Sequence, residues 1–166
     1  MEPEWTPFAL GLAAALLVAY VVFAGIAPML RRRRESAPAR ERMSRALSEG
    51  SDAARPASER ARSLRAAAKT ALEDLRRPRL AARYTEWAHR LDAADDELVA
   101  LAVLTLTAAR RYHALERLLW SSLAAAKDPR TSPALTALET LYEQHLSRPD
   151  RAKALRALSA TPRSDA

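Results

Sequence analysis

Residues 7–30, PFALGLAAALLVAYVVFAGIAPML, run for 24 positions without a formal charge and end on four consecutive arginines, Arg31, Arg32, Arg33 and Arg34. At about 1.5 Å per residue a helix of that length covers the roughly 30 Å hydrocarbon core of a bilayer. Trp5 and Phe8 stand near its outer end, where interfacial aromatics belong. A cleaved signal peptide would start with basic residues, carry a shorter apolar core and close on a small-x-small site. Here the start, MEPEWT, is acidic and the arginines follow the apolar run. The expectation is a transmembrane anchor over residues 1–30. Cations set its direction. Arg31 to Arg34, supported by Arg40, Arg42 and Arg45, stay on the cytoplasmic side while the short acidic start crosses. The N-terminus is then outside, and the remainder of a single-pass chain lies inside the plasma membrane. The arginines serve as a stop-transfer signal; a second reading adds a grip on anionic lipid headgroups, at about 1 kcal/mol each.

A chain of 166 residues accommodates such an anchor plus one compact domain. Residues 31–94 carry 17 basic and 9 acidic groups, so most of the +7 formal charge adjoins the apolar segment. Cysteine is absent, which removes disulfides, thiolate metal sites, covalent haem attachment and cysteine nucleophiles. Three glycines against a surplus of Ala, Leu and Arg predict an all-α fold, since these are strong helix formers and glycine-dependent turns are scarce. The Ala and Arg bias also suggests a GC-rich, bacterial genome. Residues 31–57 mix Pro, Ser, Ala and alternating charge with little apolar content, and read as a basic, flexible linker with one pair of transient helical turns around residues 39–48.

Beyond residue 57 the apolar pattern is helical. Ser58, Asp95 and Ser132, all good N-cap residues, lie 37 residues apart each time. Sliding by that interval aligns Ala61, Leu98 and Leu135; Leu64, Leu101 and Leu138; Ala68, Thr105 and Tyr142; Leu72, Ala109 and Leu146. Steps of three and four place these on one face of each helix. First helices are expected at 59–77, 96–110 and 133–147, with second helices at 79–91, 111–127 and 150–159. Pro78 and Pro149 are expected to stop the helices before them, and residues 161–166 form a disordered tail. The result is three helical hairpins over residues 58–160. The stretch LVALAVLTLTAA, residues 98–109, is too short to span a membrane; it predicts a central helix with both Leu101 and Leu104 in the core.

The segment ARRYHALERLLWSSLAAAKDP, residues 109–129, resembles the turn, second helix and closing proline of the tetratricopeptide repeat family, with Tyr112, Leu115, Leu119 and Pro129 in matching roles. Val99, Ala102, Val103 and Leu106 supply that repeat's first helix. Arg110 stands where the family usually has glycine, the proline comes late, and the spacing is 37 rather than about 34 residues. The resemblance covers residues 95–159, and 58–91 more loosely. It implies a short stack of hairpins with a concave binding surface; a plain helical bundle is the alternative. The end of the anchor, APMLRRRR, is similar to the N-terminus of bacterial cytochrome c maturation assembly factors, which also carry these repeats. Those proteins have a second span before a periplasmic repeat domain, and no second span is found in this sequence.

His89, His113 and His145 are widely spaced, without a neighbouring ligand at metal-binding spacing, and read as helix-surface or boundary residues. The acids of DAADDE, residues 92–97, suit a helix start, where orphan N–H groups and the macrodipole welcome negative charge. No glycine-rich phosphate loop, serine elbow or metalloprotease helix occurs, so the expectation is a protein without catalytic residues, cofactor or metal. Nucleic-acid binding is disfavoured because the excess charge adjoins the anchor and no recognition signature accompanies it. Trp87, Trp120 and Tyr142 are the candidate partner-binding residues, with packing between helices as the simpler reading. The expected function is a membrane-tethered scaffold that binds lipid and a protein partner. The alternative is a small accessory or assembly subunit of a membrane complex, with Gly11 and Ala15 allowing close helix approach.

Overall fold

The computed structural model describes residues 36–160 and Tyr20. The expected anchor, the arginine block Arg31–Arg34 and the tail 161–166 otherwise lie outside the described residues. The chain divides into two compact units, Met1–Ala39 and Arg40–Ala166; the packing that follows is that of the second. Among the described residues there are seven helices and no strand: α1 (Ala37–Ser51), α2 (Ala57–Glu73), α3 (Pro78–Leu91), α4 (Asp96–Ala108), α5 (Tyr112–Ala125), α6 (Pro133–Gln144) and α7 (Pro149–Ala160). None of these helices is long and apolar enough to cross a membrane.

Helices α2 to α7 form three repeat-like hairpins, α2–α3, α4–α5 and α6–α7, in which α4 packs on both α2 and α6. The 37-residue register holds in three of its four layers: Ala61, Leu98 and Leu135, then Leu64, Leu101 and Leu138, then Ala68, Thr105 and Tyr142 are all buried. The fourth layer, Leu72, Ala109 and Leu146, is only partly buried. The main core gathers Leu106, Leu115, Leu119, Leu138, Leu141 and Tyr142, and a smaller cluster joins Leu64, Ala88 and Leu98. Thr85 and Thr105 are fully buried where α3 meets α4. Each hydroxyl donates to the carbonyl four residues earlier, Ala81 at 3.1 Å and Leu101 at 2.8 Å, and their oxygens lie 3.2 Å apart. Both polar groups are thereby satisfied inside the helix pair.

Two of the three expected caps form: Asp95 accepts from the Glu97 N–H and Ser132 from the Ala134 N–H. Ser58 does not, because α2 already starts at Ala57 behind Pro56, with no side-chain cap. The prolines also act differently from expectation. Helices α2 and α6 end at Glu73 and Gln144, several residues before Pro78 and Pro149, which open α3 and α7. The turns close instead on non-glycine residues in the left-handed region, Arg76 (φ 52°), Arg110 (φ 56°) and Ser147 (φ 50°). Such a conformation costs about 1–3 kcal/mol per residue and is held by a following N–H that reaches back into the preceding helix: Arg77 to Ala71 and Arg111 to Leu106 at 2.8 Å, Arg148 to Tyr142 at 2.9 Å.

The segment expected to be a flexible linker is the main correction. Residues 37–51 form α1, whose Met43, Ala46, Leu47 and Gly50 recur at helical spacing and are buried or half-buried. Leu47 packs on the Leu64, Ala88 and Leu98 cluster. Arg60 Nε donates to the Gly50 carbonyl at 3.2 Å, Ser63 Oγ to Glu49 Oε2 at 3.1 Å, and Arg42 pairs with Asp74 at 3.2 Å. Small residues and polar links replace the apolar run that composition would require.

Candidate functional site

Helices α4 and α6, the first members of adjacent hairpins, leave a groove of about 810 Å³ between them. Its α4 wall is Val103, Leu104, Thr107 and Ala108; its α6 wall runs from Pro133 through Thr136, Ala137 and Thr140 to His145; Leu115 and Leu141 lie below. No Lys, Arg, Asp or Glu lines it. Leu104, expected in the core, is 61% exposed at this surface. The reason lies in the helix itself. Leu98–Ala109 is uncharged on every side, so the sequence carries no polar stripe strong enough to say which side lacks a neighbour.

The three candidate aromatics do not line the groove. Trp87 packs on the Leu64, Ala88 and Leu98 cluster. Trp120 and Tyr142 come together elsewhere: the Trp120 Nε1–H donates to Tyr142 Oη at 3.1 Å, and Tyr142, 1% exposed, donates to Glu116 Oε1 at 2.6 Å. Trp120 itself remains 44% exposed on α5. Glu116 also faces His113 Nδ1 at 3.5 Å, Arg151 at 3.5 Å and Arg148 at 4.0 Å. The Tyr142 hydrogen bond holds its carboxyl below the usual carboxylate range against the opposing effect of burial, with help from His113, Arg148 and Arg151. This network ties α5, α6 and α7 together.

The histidines separate into three environments. His113 is exposed and pairs with Glu116. His145 stacks on Tyr112, with centroids 4.5 Å apart and planes at 12°. His89 is buried, rather than at the helix surface or boundary as expected, and its Nε2 lies 2.8 Å from Ser122 Oγ. A serine beside an imidazole has the form of a nucleophile and base. Ser122, however, is 3% exposed, so a substrate has no approach to it, and the contact serves to join α3 to α5. Among the described residues no group of three or more acids and histidines is placed to hold a metal ion.

Burial lowers the His89 pKa from its ordinary 6.5, and the Asp92 charge opposes this in part. The folded protein therefore resists a proton that the unfolded chain accepts. Stability is complete above about pH 6.5 and is lost as pH falls through the folded value. Thermal unfolding followed between pH 7.5 and 5 should show a fall in Tm that is smaller in His89→Gln, which does not titrate. Equal falls in both proteins would remove His89 as the cause.

No family model matches this chain, and neither a curated protein nor a solved structure matches it.

Proposed function

We propose that this protein is a membrane-tethered, non-enzymatic interaction module of a bacterial inner membrane. Residues 7–30 anchor it, the N-terminus faces outward, and the helical body in the cytoplasm holds a partner protein in the groove between α4 and α6. The body is taken as a short tetratricopeptide-like stack, in keeping with its three hairpins. The observation that carries the reading is the exposure of Leu104 on a groove lined without a charged residue. A monomer gains nothing from leaving such a side chain in water, and apolar grooves of this kind accept the apolar face of a helix. The α6 wall from Pro133 to His145 is about 18 Å long at 1.5 Å per residue. It accommodates about three turns of a partner helix presenting small and medium apolar side chains. Thr107, Thr136, Thr140 and Gln144 supply hydrogen bonds at its edges.

A photo-crosslinking residue at position 104 of the full-length chain, expressed in bacterial membranes, is expected to give one discrete protein adduct. The same residue at position 120 is expected to give none. Thr140→Arg, which closes the groove with a cation on an exposed face, should lower the 104 adduct at least tenfold, since an unpaired charge in an apolar contact costs more than about 1.4 kcal/mol. Equal adducts from both positions, or an adduct indifferent to Thr140→Arg, would remove the groove from the function. Loss of the adduct in Gly11→Leu with the groove intact would favour the accessory-subunit reading, in which the anchor helix makes the assembly contact. Digestion of the body by protease added outside intact spheroplasts would overturn the orientation.

A further inference from the structure

The ends of the hairpins differ in charge. Turns 74–77, 109–111 and 145–148 lie side by side along one edge of the stack. Arg76 and Pro78 share a surface hollow with Leu72, Glu73 and Ala108, and Arg110 and Tyr112 share another with His145 and Leu146. Among the described residues no carboxylate lies within salt-bridge distance of Arg76, Arg77, Arg79 or Arg110, all of which are exposed. The nearby acids are largely engaged: Asp74 by Arg42, Glu86 by Arg111, Glu116 by Tyr142. Glu73 and Asp150 remain against them. Arg110, Arg111 and Arg117 line one hollow of about 430 Å³ together with His113. Helices α3 and α5 begin at this edge, on Arg77 and Arg111, with no side-chain cap and no acid in the first turn. Helices α4 and α6 begin at the opposite edge and are capped by Asp95 and Ser132, with Asp96 and Glu97 beside the former.

We propose that the turn edge is a docking surface for anionic lipid headgroups, with Arg76, Arg77, Arg79 and Arg110 as its phosphate-binding cations. Guanidinium groups of one sign along blunt helix ends, with positive helix termini behind them, match a plane of phosphates. The choice of lipid over another polyanion rests on the membrane-tethered reading above.

The absence of cysteine allows a single labelling site. Full-length chain carrying a fluorophore on Ala108→Cys, at the turn edge, or on Pro129→Cys, at the opposite edge, is reconstituted in vesicles of phosphatidylcholine or of phosphatidylglycerol containing a headgroup quencher. The Ala108 label should be quenched in phosphatidylglycerol and not in phosphatidylcholine, and the Pro129 label in neither. Each arginine replaced by glutamine should lower the docked fraction constant about fivefold. The variant with all four replaced should show no quenching while keeping the helical circular dichroism of the parent. Equal quenching of the Ala108 label in both lipids would overturn the proposal even while the chain floats with both kinds of vesicle. A chain that fails to float with phosphatidylcholine would instead overturn the anchor, and docking to phosphatidylglycerol alone would then leave the edge as a peripheral lipid contact. Reversal of the quenching by equal charge of polyuridylate or polyglutamate, without a matching effect of added phosphatidylglycerol vesicles, would assign the edge to nucleic acid or acidic protein and overturn the lipid proposal.

Discussion

Leu101→Asp should abolish the cooperative unfolding transition of the helical body, whereas Leu104→Asp, one turn further along α4, should leave it intact. Leu101 is 4% exposed and Leu104 61%. A carboxylate at the first position loses its hydration in packed surroundings, and an uncompensated interior charge costs about 3–5 kcal/mol beyond the apolar contacts that go with it. That is comparable with the whole stability of a small domain, about 5–15 kcal/mol. At the second position the carboxylate stays in water at the groove surface and costs little. Thermal and urea unfolding of the full-length variants in detergent, read by circular dichroism, checks both. A transition like that of the parent in Leu101→Asp would contradict the packing of α4. Unfolding of Leu104→Asp would mean that the groove is filled in the native protein.

Gly50→Leu is expected to release α1 from α2. A Cβ at position 50 would sit 2.7 Å from Leu64 Cγ and 2.9 Å from its Cδ2. Leu64 is fully buried among Ala88 and Leu98 and has no room to retreat. For Gly50→Ala two effects compete: about 1 kcal/mol gained in helix propensity against about 1–3 kcal/mol of overpacking. Alanine is thus near neutral or destabilising by up to about 2 kcal/mol, while leucine adds three further carbons to the clash. Trypsin cleavage at Arg42 and Arg45 of the full-length chain should accelerate by roughly tenfold for each 1.4 kcal/mol of docking lost. Cleavage at the parental rate in Gly50→Leu would show that α1 does not rest on α2 through this contact.

These two cases also mark how far the sequence could be read. Along residues 58–160 the helices fall within a few residues of expectation, because capping and apolar spacing are properties of a few neighbouring side chains. The misplaced helix ends have one cause. A proline stop is expected at Pro78 and Pro149, but the chain leaves α2 and α6 through a left-handed Arg76 and Ser147, and the proline then starts the next helix. Over residues 37–51 a full helix stands where transient turns are expected, because α1 docks through Gly50, Leu47 and hydrogen bonds to Arg60 and Ser63, a contact whose strength is contributed by α2. For the site, Trp87 packs on a core cluster and Tyr142 joins Trp120 and Glu116, the simpler of the two readings of these aromatics, while Trp120 keeps 44% of its surface exposed. The groove is made mostly by leucine, alanine and threonine, residue types that carry no distinguishing signal on a helix.

Local order was therefore written along the chain: an all-helical body, its hairpins and the register of Leu64, Leu101 and Leu138 follow from periods of three and four and a shortage of glycine. Exposure was not. Whether Leu104 faces solvent, whether His89 is buried and whether the arginine turns line one edge depend on which helices stand beside them. That is fixed when the hairpins pack, since burial belongs to a pair of surfaces and a sequence specifies each surface singly.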